Sequence, residues 1–272
     1  MKKNKSLLLS TPYVLWMLVF TLIPLGVVGY YALTDPDTGA LTIRNLQDLW
    51  LFLPTLGVSV GYALISALIC LLLGYPVAYF IAHRSAFTQK ILYMLVMLPM
   101  CMSFLLRTLA WVGLLETTGI INTLLGYVGI GPLKMIGTPG AVILGMVYNY
   151  LPYMILPLYA IIVKIDRRLI EAAEDLGCNS FHVFGRVILP LSMPGILSGI
   201  TMVFVPAVST FYISQKLGGT DTMLIGDVIE RQFKSAQNPN LGAALSLVLM
   251  LLVFICTGIM NRFGSDEEGV VV

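Results

Sequence analysis

The chain alternates between long stretches free of charge and short segments that gather nearly all of its Lys, Arg, Asp and Glu. A helix needs about 20 apolar residues to cross the hydrocarbon core of a bilayer. Six stretches meet that length: residues 13–33, 56–82, 91–114, 138–163, 193–215 and 241–260. In lipid the backbone must satisfy its own polar groups, so these runs predict helices and an all-α integral membrane fold with six transmembrane helices. Pro24, Pro76, Pro99, Pro152, Pro157 and Pro206 fall within or near them. A proline frees a carbonyl one turn back, so such helices are expected to pack against neighbours or to line a cavity. The first run follows Lys2, Lys3 and Lys5, as a signal peptide would. It is longer than a signal peptide's apolar region and no small-residue cleavage site follows, so it reads as a retained span.

Composition agrees with lipid as the main solvent: 58% of residues are hydrophobic and 11% charged, with a mean hydropathy of +0.89. The distribution of positive charge sets a direction. With the N-terminus inside, ten cations (Lys2, Lys3, Lys5, Arg84, Lys90, Lys164, Arg167, Arg168, Arg186, Arg262) lie in cytoplasmic segments and five (Arg44, Lys134, Lys216, Arg231, Lys234) lie outside. Both termini are therefore expected in the cytoplasm: residues 1–12 as the N-terminus, 13–260 as the six-span domain and 261–272 as the tail, whose short acidic end Ser265–Val272 is expected to be disordered. The net charge of +2 and the absence of a basic stripe argue against nucleic acid. Cys70, Cys101, Cys178 and Cys256 have no CxxC spacing, and His83 and His182 sit in polar segments, so no metal site is expected.

The most informative polar segment is 166–194, DRRLIEAAEDLGCNSFHVFGRVILPLSMP, on the predicted cytoplasmic side. Leu169, Ala172, Ala173 and Leu176 recur at i, i+3, i+4 and i+7, the signature of one apolar helix face. Gly177 supplies a residue able to take positive φ where that helix ends. Asn179 or Ser180 can cap a second helix with apolar positions Phe181, Phe184, Gly185 and Ile188, and Pro190 and Pro194 end it. An interfacial hairpin is the plainer reading, but lipid-surface helices favour Lys and Arg. The mixed, rather acidic charge here fits a peg that docks into a soluble protein better.

Glu171-Ala172-Ala173, then three residues, Gly177 and Leu189-Pro190 resembles the EAA motif of ATP-binding-cassette (ABC) importer permeases, here within a loop of about 166–190. Cys178 stands where that family usually has alanine. The resemblance implies the type I importer permease fold, and a coupling role toward the ATPase for Glu171, Ala172, Ala173, Gly177, Phe181, Phe184, Leu189 and Pro190. Further segments resemble the spermidine/putrescine branch: 73–79 (LGYPVAY), 105–107 (LLR), 145–148 (GMVY), 151–153 (LPY), 156–159 (LPLY), Phe211-Tyr212, Gly218-Gly219 and 224–226 (LIG). The resemblance also implies partners: a second homologous permease subunit, an ATPase dimer carrying ATP and magnesium, and an extracytoplasmic substrate-binding protein.

The chain itself has no GxxxxGK[ST] phosphate loop, no nucleophile–base arrangement and no carboxylate pair, so no catalytic residue and no cofactor of its own is expected. A charge inside a membrane is a functional candidate by default. Arg107 is the one such residue, and the reading favours structure or gating: pairing with a carboxylate such as Glu116, or capping freed carbonyls. Ammonium groups are well served by aromatic faces. Phe211 and Tyr212, with Tyr148, Asn149, Tyr150 and Tyr153, are therefore the candidate pathway lining, although tyrosines near span ends also form interfacial belts. The external acids Glu116, Asp221, Asp227 and Glu230 could attract a cation. Asp227 with Arg231 and Glu230 with Lys234 fall at i, i+4, so ion pairs on a solvated face explain two of them. Permeases for amino acids, thiamine, iron or oxyanions would keep the EAA loop and change the lining. A secondary transporter would call for buried relays or broken-helix repeats, and a mere membrane anchor leaves the tyrosines and prolines of 138–163 unexplained.

Overall fold

The computed structural model describes residues 2–35, 38–236 and 238–265, the side chains of 2–11, 221, 261 and 263–265 excepted. Most of the predicted tail and the side chain of Asp221 lie outside the described residues. The described residues are helical almost throughout, with one isolated antiparallel bridge among them, Thr34 to Leu41. In order, the helices are α1 (Lys2–Ala32), α2 (Arg44–Gln47), α3 (Leu53–Ala82), α4 (Ala86–Met97), α5 (Phe104–Leu115), α6 (Ile120–Tyr127) and α7 (Pro139–Ile162). They continue as α8 (Arg167–Asp175), α9 (Ser180–Val183), α10 (Leu189–Leu191), α11 (Met193–Val208), α12 (Tyr212–Leu217), α13 (Ile225–Lys234) and α14 (Pro239–Ser265). Five described stretches are long and apolar enough to cross a membrane: Pro12–Ala32, Arg44–Ala82, Phe104–Tyr127, Pro139–Ile162 and Pro239–Met260. The pair Ser180–Leu191 and Met193–Val208, bent by 64°, is apolar enough to count as a sixth when taken together as one span.

Two predicted spans are broken. The run 91–114 does not form one helix. After α4 it passes through a 3₁₀ turn at Leu98–Cys101 containing Pro99, and Met102 and Ser103 are extended before α5 begins. Proline cannot donate a backbone N–H, and two extended residues end any helical hydrogen bonding. Arg107 thus stands in the first turn of a new helix rather than toward the end of a continuous one. The run 193–215 likewise stops at Val208, and Ser209–Phe211 separate α11 from α12.

The chain forms two compact units. In the unit of Met1–Pro54 and Val228–Leu252, Ala32 meets Ala243 and Ala244, with Val28, Leu49 and Leu247 around them. Buried asparagines tie this unit: Asn45 Nδ2 donates to Ala32 O and Thr34 O (3.2 and 2.8 Å), and Asn240 Nδ2 to Thr34 O (2.6 Å). Residues 12–31 of α1 are almost all unburied in this chain.

The other unit, Thr55–Asp227 with Val253–Val272, is built around α7, whose most extensive packing is with α11. Helices in lipid gain no hydrophobic drive from each other, so they rely on close backbone approach at small residues. A methyl at Gly195 would sit 3.1 Å from Pro157 O, and one at Gly199 3.3 Å from Met154 O. Gly145 allows α12 in: a Cβ there would lie 2.9 Å from Ile213 Cγ2. Ser66 and Cys70 of α3 face Met146 Sδ (3.3 Å) and Val147 O (3.7 Å) on α7.

Candidate translocation pathway and coupling surface

Both candidate sites lie within the unit built on α7. The break at Met102–Ser103 turns Phe104 inward, where it stacks on Tyr150 with ring centroids 6.5 Å apart at 23°. Tyr212 lies 6.2 Å from Phe104 on one side, and Tyr153 lies 6.3 Å from Tyr150 on the other. Four rings from α5, α7 and α12 therefore form a ladder, with Tyr150 buried and Phe104, Tyr153 and Tyr212 half-buried. Tyr150 Oη donates to Pro206 O at 3.3 Å, a carbonyl near the break after α11. Of the predicted lining, Tyr150, Tyr153 and Tyr212 come together. Tyr148, a residue away around the helix, pairs instead with Trp111 (5.3 Å, 70°). Phe211 is outside the ladder and exposed.

Polar groups underlie the rings. Asn149 is fully buried, and its Nδ2 donates to Gly145 O (2.9 Å) and reaches Thr108 Oγ1 (3.5 Å), while its Oδ1 has no partner. Arg107 is 6% exposed, and its Nε and Nη1 are buried and unpartnered. The expected ion pair with Glu116 does not form. Glu116 is exposed, and it is its backbone oxygen that works, accepting from Gly119 N (2.8 Å) and Asn122 Nδ2 (3.0 Å) in the turn between α5 and α6. Asp227 also differs from expectation. It is buried rather than solvated, and its Oδ2 accepts from Leu224 N at 2.8 Å, holding the start of α13. Lys234 and Glu230 do pair, at 2.7 Å.

Phe104 and Thr108 escaped the sequence reading. Pro99 followed by Ser103 could have signalled a helix start at Phe104, which puts Phe104, Arg107 and Thr108 on one face at i, i+3 and i+4.

The segment 166–190 forms a second surface. Asp166 caps α8 by accepting from Arg168 N (3.0 Å), and Gly177 ends it at φ +84°. Cys178 N donates to Ala173 O (3.1 Å) and Gly177 N to Glu174 O (2.9 Å), the two bonds of a Schellman end. Asn179 Oδ1 then caps α9 through His182 N (2.9 Å). The expected second helix is irregular, with a π-helical turn at Phe184–Ile188 between α9 and α10. Most of the apolar stripe faces outward: Leu169, Ala172 and Leu176 are exposed, as is Glu171, whereas Ala173 and, beside it, Ile170 are half-buried. Phe181 is 81% and Leu176 86% exposed. Phe184 does the anchoring, edge-on to Tyr75 (5.5 Å) and Tyr79 (6.2 Å), while Tyr75 Oη and Ser192 Oγ share a bond of 2.8 Å. The result is a firmly tied base under an unpartnered apolar knob. Leu189 is half-buried and Pro190 exposed.

Residues 71–265 match the family described as binding-protein-dependent transport system inner membrane component, and the chain belongs to it. It is therefore a multi-pass bacterial inner-membrane permease, a translocation component of a multi-part ABC transport system. Among its relatives, the spermidine/putrescine transport system permease protein PotB of Haemophilus influenzae is 41% identical over 88% of both chains. PotB of Escherichia coli K12 is 38% identical over 88% of this chain and 90% of its own. Among solved structures, a bacterial ABC transporter involved in import of the acidic polysaccharide alginate aligns with a TM-score of 0.81 at 17% identity, covering 99% of this chain and 98% of that one, which shows the shared fold.

Proposed function

We propose that this chain is one of two permease subunits of an ATP-driven importer of polyamines such as spermidine and putrescine. The observation that carries the reading is the aromatic ladder of Phe104, Tyr150, Tyr153 and Tyr212, half-open along helices that hold no carboxylate. Aromatic faces attract ammonium groups most strongly where water is excluded, and rings suit the methylene spacers of a polyamine equally well. The relatedness to PotB supports the same cargo.

The tied segment 166–190 carries the coupling role. Leu176 and Phe181 are its exposed anchors, Glu171 and Ala172 flank them, and Gly177 fixes the turn between the two short helices. ATP and magnesium belong to a separate ATPase pair (PotA-like). A second permease (PotC-like) completes the pathway, and an extracytoplasmic binding protein (PotD-like) delivers the cargo. The boundaries 1–12, 13–260 and 261–272 follow from the apolar runs, and the placing of both termini in the cytoplasm from the distribution of positive charge. Nucleotide would move the coupling segment as a body only if its two states bind that segment differently.

An anionic cargo is the reading that Arg107 taken alone would favour. Polyamine-stimulated ATPase activity and labelled spermidine uptake by the reconstituted complex test the proposal directly. Stimulation by an oxyanion instead would overturn the polyamine assignment and keep the importer.

A further inference from the structure

Along α3, α5, α7 and α11, Arg107 is the one charged residue. It donates no side-chain hydrogen bond, and two of its three nitrogens are sealed by its own chain. Buried arginines are normally held by a carboxylate, and no carboxylate of this chain meets this one. Two further sources of positive potential lie along the same row of rings. The first turn of α5, which contains Arg107, starts at the extended Ser103 with no side-chain cap, so its free N–H groups add a partial positive charge. Lys216 Nζ stands over the Tyr212 ring at 5.9 Å. All three border the aromatic ladder.

We propose, building on the polyamine reading above, that Arg107, the α5 N-terminus and Lys216 form a positive barrier that refuses small inorganic cations while the rings let a linear polyamine pass. A potassium or sodium ion carries its charge on one atom and meets the barrier whole. At ~6 Å from a guanidinium and an effective dielectric of ~20, the repulsion slows its passage about a hundredfold. A polyamine spaces its charges along methylenes. Its hydrocarbon can lie against the half-buried Phe104 and Tyr212 near the level of Arg107 while its amines rest above and below. Fixed positive charge excluding small cations from a pore that must stay tight is an established physical device. Here it would protect the membrane potential during turnover.

The test uses the complete transporter, both permeases with the ATPase pair, in proteoliposomes hydrolysing ATP without polyamine. Potassium leak is measured for the unmodified complex, Arg107→Met and Arg107→Lys. Loss of the charge should raise the leak by about tenfold or more, and Arg107→Lys should leave it within about twofold of the unmodified level. Equal leak in Arg107→Met and the unmodified complex overturns the proposal, and so does an Arg107→Lys variant as leaky as Arg107→Met. The residual leak of the unmodified complex should favour chloride over potassium. A preference for potassium overturns the barrier even where neither variant assembles. Spermidine uptake by the unmodified complex in the same vesicles reads the cargo separately: its absence refutes the polyamine assignment, while the leak comparison still decides the barrier.

Discussion

Substitution of Gly177 separates backbone conformation from side-chain packing unusually well. Its φ is +84°, and a Cβ added there would meet nothing within 4 Å. The steric term against neighbours is therefore close to zero, and what remains is the cost of the left-handed region, about 1–2 kcal/mol for an ordinary residue. That corresponds to roughly a 5- to 30-fold shift against the native turn. Asparagine enters this region more readily than alanine and should cost less. Proline cannot adopt the angle, and it also deletes the donor to Glu174 O. If the turn sets the angle of the docking knob, coupled transport should fall in the order Gly, Asn, Ala, Pro, with Gly177→Pro inactive. The assay is substrate-stimulated ATPase activity and uptake in proteoliposomes, with membrane insertion checked by protease protection. Equal uptake for Gly177→Ala and Gly177→Asn together with an active Gly177→Pro would refute both the role of the turn and the magnitude assigned to it.

Phe181→Ala removes an exposed knob, so the melting temperature of the permease should hold while association with the ATPase, read by co-purification, weakens about tenfold or more, as for an interface anchor. Asn149→Leu removes a buried oxygen that has no partner along with a bond to Gly145 O; thermal stability in detergent should change by less than about 1 kcal/mol while uptake falls, and a large stability loss would show that the amide is structural. Phe104→Ala breaks the ladder at its centre and should lower spermidine uptake about tenfold without releasing the ATPase, a cost in line with about 1–2 kcal/mol of cation–π contact. Gly226→Ala would set a methyl 2.5 Å from Thr210 O and 2.8 Å from Ser209 O; both are backbone atoms, so a loss of about 3 kcal/mol or more is expected by thermal shift.

The sequence by itself determined the class, the presence of several membrane-spanning helices and the position of the two short helices joined at Gly177. These depend on properties the chain carries locally: runs free of charge, capping residues such as Asp166 and Asn179, and a glycine at the end of α8. Only the tertiary structure decided where the spans break and which faces meet. The runs 91–114 and 193–215 look continuous because hydropathy counts apolar residues and does not sense that Met102–Ser103 and Ser209–Phe211 leave the helical region. Those two breaks bring Phe104 and Tyr212 together across α7, so a ladder drawn from three helices has no periodic trace in the sequence. The apolar stripe of α8 illustrates the same limit. A period of 3.6 shows that Leu169 and Leu176 share a face, but packing of neighbouring segments decided that this face stays open. Arg107 and Asp227 changed most between the two levels. Spacing suggested partners for each, whereas the burial of Arg107 and the exposure of Glu116 left that guanidinium without its expected carboxylate, because contact between charges depends on the path of the backbone and not on their separation along it.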